Sequence, residues 1–141
     1  MKHLFTLTVL LILPIVAIAE TGSTQTSARP LAGQGITDAA AFGFSPEASG
    51  IENTKALQRA VDQAGTIVVS KLGTYKIAGT VFVGGNTALN FGNDVFLKKV
   101  PEQGAFTHVL LNKGALTKTY DEHISVDGLQ IIVNGVDFCT F

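Results

Sequence analysis

The stretch Asn53-Thr54-Lys55-Ala56-Leu57-Gln58-Arg59-Ala60-Val61-Asp62-Gln63-Ala64-Gly65-Thr66-Ile67-Val68-Val69 changes its hydrophobic period once, and that change decides the fold. Leu57, Ala60, Val61 and Ala64 recur at i, i+3, i+4 and i+7, the stripe of a helix lying on a core. The spacing predicts a helix from about Thr54 to Ala64, with Asn53 or Thr54 as N-cap and Gly65 as the C′ residue that tolerates positive φ. Burying Leu57 and Val61 contributes about 1.5–3 kcal/mol each. So short a helix is marginal alone, so it must dock on something.

After Gly65 the period becomes two. Ile67 to Val69 is a continuous apolar run, and Tyr75 and Ile77 then alternate with Lys76. Val81 and Val83 flank Phe82, Leu89 and Phe91 flank Asn90, and Val95 and Leu97 flank Phe96. Each segment turns two residues inward and exposes the one between them, as a one-sided sheet requires. Gly and Asn fill the turns because they accept left-handed dihedrals cheaply. A meander of hairpins and a solenoid of stacked coils both fit this pattern. Gly-Asn order at the turns and the shortness of the segments favour the solenoid, whose neighbours bury a continuous core. Upstream, Ile36 to Phe44 reads as an extended segment, and Ser45 to Glu52 as a loop.

The ends of the chain read differently. Lys2 and His3 precede an almost wholly apolar run from Leu4 to Ile18, and Ala17-Ile18-Ala19 is a small-x-small cleavage site. The run is short for a membrane span and contains Pro14. Residues 1–19 are therefore expected to be a signal peptide, making the protein secreted or periplasmic, with no membrane role after cleavage. Residues 20–35 read as a flexible linker, and 36–141 as the folded part. Without the leader the chain carries 9 basic and 11 acidic residues, a net charge of −2. That balance offers no basic stripe for nucleic acid. Cys139 is the single cysteine, so no internal disulfide forms.

Residues 42 to 97 resemble the opening of the pectate-lyase-like right-handed β-helix superfamily, closest to glycoside hydrolase family 28, the polygalacturonases and rhamnogalacturonase-like proteins. The resemblance rests on Phe42-Gly43-Phe44, Gly50, Asn53-Thr54 and Ala56-Leu57-Gln58-Arg59-Ala60-Val61-Asp62. It continues through Ile67-Val68-Val69, Gly73-Thr74-Tyr75, Val81, Val83, Gly85-Asn86, Leu89, Phe91, Val95 and Leu97. His123-Ile124-Ser125-Val126-Asp127-Gly128-Leu129-Gln130-Ile131 is similar to a later coil. Ser70 stands where the family has Pro, and Asn53 replaces an Asp. The resemblance implies a mainly β fold, a right-handed parallel β-helix with one N-terminal capping helix. It also implies a pectin-like acidic polysaccharide as partner.

The family's chemistry needs two carboxylates on neighbouring coils, one protonating the glycosidic oxygen and one activating water. The motifs that mark them, Asn-Thr-Asp, Asp-Asp, Gly-His-Gly and Arg-Ile-Lys, do not occur in this sequence. Asp121 and Glu122 are adjacent and read as solvated charges; Asp127, before Gly128, reads as a turn former, as do Asn134 and Asp137. His108, on an expected strand from Thr107 to Leu111, and His123 lack a third ligand for a metal. Lys98 and Lys99 read as a solvated strand edge, and Gly84-Gly85-Asn86 lacks the Lys-Ser/Thr of a phosphate loop. No catalytic, cofactor-binding or metal residue is therefore assigned.

Three functions remain open. The chain is the N-terminal part of an exported pectin-type polysaccharide-degrading enzyme, cut short of its catalytic coils, or a small carbohydrate-binding or surface-attachment module, or a truncated product without activity. The apolar tail Ile131-Ile132-Val133 through Val136, Phe138 and Phe141 offers no polar cap, which favours an incomplete solenoid.

Overall fold

Helix α1 (Gly50–Val61) begins at a capping box, four residues ahead of the expected Thr54. Ser49 is the N-cap: its hydroxyl accepts from the Glu52 N–H at 3.2 Å, and the Glu52 carboxylate accepts from the Ser49 N–H at 3.0 Å. Asn53 is therefore no cap. It lies inside the helix, fully buried, and its amide accepts from the Ser45 N–H and donates to the Ser45 carbonyl, both at 2.9 Å. Thr54 donates its hydroxyl back to the Gly50 carbonyl at 2.7 Å and accepts from the Ala78 N–H at 3.0 Å. The helix also stops earlier than its apolar stripe suggests, with Asp62 as C-cap. Ala64 and Gly65, at φ 57° and 77°, then turn the chain into the next strand.

The computed structural model describes residues 35–133. The expected leader, residues 20–34 of the expected linker, and the tail with Asn134, Asp137, Phe138, Cys139 and Phe141 lie outside the described residues. The first strand, β1 (Ile36–Asp38), is shorter than the extended segment expected to reach Phe44. Asp38 accepts from the Ala40 N–H at 2.9 Å and caps a 3-10 turn over Ala39–Phe42, which Gly43 closes with φ 90°. Phe44 then packs its ring on Tyr75, centroids 4.4 Å apart and planes within 14°.

Eight further strands follow: β2 (Gly65–Val69), β3 (Gly73–Ile77), β4 (Val81–Val83), β5 (Thr87–Phe91), β6 (Val95–Lys99), β7 (Leu110–Asn112), β8 (Ile124–Asp127) and β9 (Gln130–Ile132). A one-turn helix, α2 (Gly114–Thr117), follows β7. The fold is mainly β, and every ladder is parallel. That excludes the hairpin meander, whose neighbours would run antiparallel. From β2 onward consecutive strands instead enter three different sheets, in the orders β1-β2-β5-β8, β3-β6-β9 and β4-β7.

The register explains the two-residue alternation. Ile67 stands beside Leu89 and then Val126, and Tyr75 beside Leu97 and then Ile131. Ile67, Tyr75, Leu89 and Leu97 are fully buried, so like side chains stack from strand to strand. Where the turn from β8 to β9 passes the end of β5, the approach is so close that a Cβ on Gly128, at φ 68°, would run into the Phe91 carbonyl oxygen. Only glycine serves both demands there.

Helix α1 packs on β3 and β4, where it meets open backbone. Val81 and Val83 point their backbone groups at the β7 side, bonding the Val109 carbonyl and the Lys113 N–H. Phe82 points the other way. Gln58 fills the position a neighbouring strand would take, accepting from the Phe82 N–H at 2.8 Å and donating to the Phe82 carbonyl at 3.0 Å. Among the described residues no buried side-chain polar atom lacks a partner.

Truncating these amides should cost far more than truncating the exposed face of the same helix. Asn53→Ala strands the Ser45 N–H, leaves the Ser45 carbonyl with the Ala48 N–H alone, and opens a void, an expected loss of about 2–4 kcal/mol. Lys55→Ala should stay within about 0.5 kcal/mol. Urea unfolding followed by circular dichroism measures both, and equal losses would remove the special role of Asn53.

Candidate functional site

The outer face of α1 forms one wall of a groove of about 840 Å3, with Thr80 and Phe82 as its floor and Lys113, Leu116 and Thr117 opposite. Thr54, Gln58 and Asp62 recur every four residues and so line one edge of the helix, with Lys55 and Arg59 beside them. Lys113 leaves β7 with its N–H fixed on the Val83 carbonyl at 2.8 Å. Its ammonium reaches across the groove to Asp62, 2.7 Å away. Gln58 donates to the same carboxylate at 3.0 Å. The Lys113 ammonium holds the Asp62 carboxyl below the usual aspartate range, against a smaller opposing effect of burial.

The other two cations are less engaged. Arg59 donates one guanidinium nitrogen to the Phe42 carbonyl at 2.7 Å, tying the helix to the 3-10 turn. Lys55 is exposed and makes no hydrogen bond or ion pair among the described residues. Three cations thus line the groove against one carboxylate, Asp62, on a chain of net charge −1. One carboxylate already held by a lysine cannot divide into the acid and base of a glycosidase.

The residues singled out from sequence scatter to structural posts. Asp121 is half-buried and accepts from the Gly114 N–H and, at 3.3 Å, from the Asn112 amide, so it fastens the turn from β7 into α2 and is not a solvated charge. Glu122 is exposed, and its carbonyl accepts from the Asn86 N–H at 2.9 Å. Asp127 ends β8 beside Asn90, ahead of the tight Gly128. His108 precedes β7 and is not in a strand; its ring Nδ1 lies 2.7 Å from the Thr107 hydroxyl. His123, at φ 58°, uses its carbonyl to accept from the Thr87 N–H. Among the described residues no three His, Cys, Asp or Glu side chains converge as for a metal.

Lys98 and Lys99 part company. Lys98 stands directly beside Lys76 on the outward face of β3 and β6, whereas the Lys99 ammonium lies 4.5 Å from the centroid of the Phe106 ring. Asn86 takes φ 57° in the turn between β4 and β5, with no helix starting there, so Gly84-Gly85-Asn86 is a bend. The groove itself was not anticipated. Its i, i+4 polar edge is visible in the sequence, but Lys113 lies 51 residues from Asp62, and no local pattern joins them.

Compared with family models, curated proteins and solved structures, the chain matches none. No helix among the described residues is long and apolar enough to cross a membrane.

Asp62, Glu52 and Glu47 all have lowered carboxyl pKa values. Glu47 is brought to about 2, first by its Ser45 hydrogen bond and then by Lys71, and Glu52 is lowered by the Ser49 N–H and hydroxyl. A carboxyl depressed on folding stabilises above its unfolded value, here 3.8 for Asp62, and that gain disappears as pH falls through the lower folded value. Melting temperature should therefore fall between pH 5 and pH 2, and Asp62→Asn should shrink that fall. An unchanged pH profile in the variant would remove the Asp62–Lys113 pair from the account.

Proposed function

We propose that residues 35–133 are the capped N-terminal end of a right-handed parallel β-helix of the pectate-lyase-like kind, and that the protein serves an exported pectin-type polysaccharide-degrading activity by binding acidic polysaccharide. One observation carries the reading: from β2 onward the chain visits three parallel sheets in rotation, and in two of them the first neighbouring strand arrives at the same interval. Gly65 pairs with Thr87 and Gly73 with Val95, in each case 22 residues on (87 less 65; 95 less 73). Stacked coils give such a shared interval; the next steps lengthen to 37 residues (124 less 87) and 34 (130 less 96) through longer connections, and parallel crossovers in a sheet are almost always right-handed. Helix α1, lying against β3 and β4 and supplying partners to the backbone of Ala78 and Phe82, has the place of a cap.

The catalytic half of the reading is not assigned to these residues. The groove has one carboxylate, and Asp121 and Asp127 have turn and strand-end posts. Native affinity electrophoresis tests the proposal. The protein should be retarded in gels containing polygalacturonate, pass unhindered through neutral galactan, and release no reducing ends from either. Passage through every polysaccharide gel at the same rate would overturn the binding role, and release of reducing ends would overturn the non-catalytic one.

A further inference from the structure

We propose that the groove between α1, β4 and the β7–α2 turn is the seat of that acidic polysaccharide, taking a short run of uronate residues; the inference rests on the polysaccharide-binding reading above. Lys55, Arg59 and Lys113 outnumber Asp62 in the groove, although acids outnumber bases over the whole chain. Asp62 does not cancel the excess, because Lys113 and Gln58 already hold it. Lys55 makes no hydrogen bond or ion pair among the described residues and feels only the charge of Glu52 nearby, and Arg59 spends one nitrogen on Phe42 while a guanidinium carries five donors. Carboxylates spaced along a sugar chain suit two cations one helical turn apart on the rim of a helix.

The walls then select a sugar over a bare anion. Phe82 presents a half-buried ring, and Leu116 is 63 % exposed on the opposite side. Between them they offer the C–H face of a pyranose ring an apolar surface, and the Thr80 hydroxyl, whose proton goes to the His108 carbonyl, keeps lone pairs to accept from the sugar's polar edge. A single aromatic ring suits one stacked sugar, whereas single-stranded nucleic acid is held by successive stacking platforms. The rival cationic surface, Lys76 beside Lys98, is flat and has no wall to exclude water, so salt screens it readily.

Calorimetric titration with a galacturonic acid hexamer tests the assignment, with a galactose hexamer and a thymidine oligonucleotide as comparison ligands. The acidic hexamer should bind, the neutral one should not, and Lys55→Gln should weaken binding about tenfold through loss of one charged hydrogen bond. Phe82→Leu should weaken it comparably, and the double variant Lys76→Gln/Lys98→Gln should match the unaltered protein. Because Lys55 is exposed, its substitution tests the groove even if the Phe82 variant fails to fold. Binding that survives Lys55→Gln intact, or that is lost in the Lys76/Lys98 double variant, would overturn the groove and leave the polysaccharide role standing. Equal affinity for the oligonucleotide would reduce the site to unselective attraction by charge. A hexamer that does not bind the unaltered protein at all would overturn the polysaccharide role and the groove with it.

Discussion

The structure depends on two side-chain amides that behave as if they were pieces of backbone. A strand at the edge of a sheet leaves every second N–H and C=O without a partner, and burying such a group unpaired costs about 1–3 kcal/mol. Helix α1 covers the edge of β4 and would bury those groups. It avoids the cost at Phe82 because Gln58 offers one donor and one acceptor at the spacing of a peptide. Asn53 does the same for Ser45, and Thr54 serves Ala78. An Ala or Leu at either amide position would keep the helix and lose the seal. The apolar stripe of Leu57, Ala60 and Val61 can be fully buried because the polar groups around it are already paired.

Behind that seal the core is a matter of repetition. Once Tyr75 and Ile67 face inward, a constant register brings Leu97 and Leu89 onto them, and the outward residues follow by alternation. Where the connections lengthen, the repeat needs local devices. Between β6 and β7 the chain spends more residues, including Phe106 under the Lys99 ammonium, before rejoining its sheet at Leu110. Between β7 and β8 Asp121 fastens the loop by accepting from Gly114 and Asn112. Insertions of this sort are tolerated because closing a longer loop costs only slowly more entropy.

The strands were legible because period-two alternation is a local signal: Tyr75, Ile77, Val81, Val83, Leu89, Phe91, Val95 and Leu97 are all buried as their spacing implies. The start of α1 was less legible, although Ser49-Gly50-Ile51-Glu52 carries the capping-box pattern. Asn53 and Thr54 stood closer to the apolar stripe and drew the assignment. What overrode them was a tertiary contact, since the partners of Asn53 and Thr54 are at Ser45 and Ala78. Parallel pairing was legible only through the turns: alternation looks the same whichever way the neighbours run, but Gly-Asn order and short segments favoured stacked coils, and every ladder is parallel. The groove lay furthest from view, as it joins residues 24 and 51 positions apart.

The helix therefore has two polar duties on adjoining faces, and they are not independent. Gln58 bonds Phe82 with both ends of its amide and also reaches Asp62. Asp62 in turn anchors Lys113 and with it the start of α2. An anion entering the groove and drawing Lys113 away would leave Asp62 with Gln58 alone, and the carboxyl would lose the partner that most lowers its pKa. Affinity gained at Lys113 would thus be offset by ionisation energy lost at Asp62. Lys55 has no such entanglement, and its charge is free to act on a ligand without first being detached from the fold. An anion in the groove is therefore held most economically from the Lys55 side, with Lys113 left in place as the opposite wall.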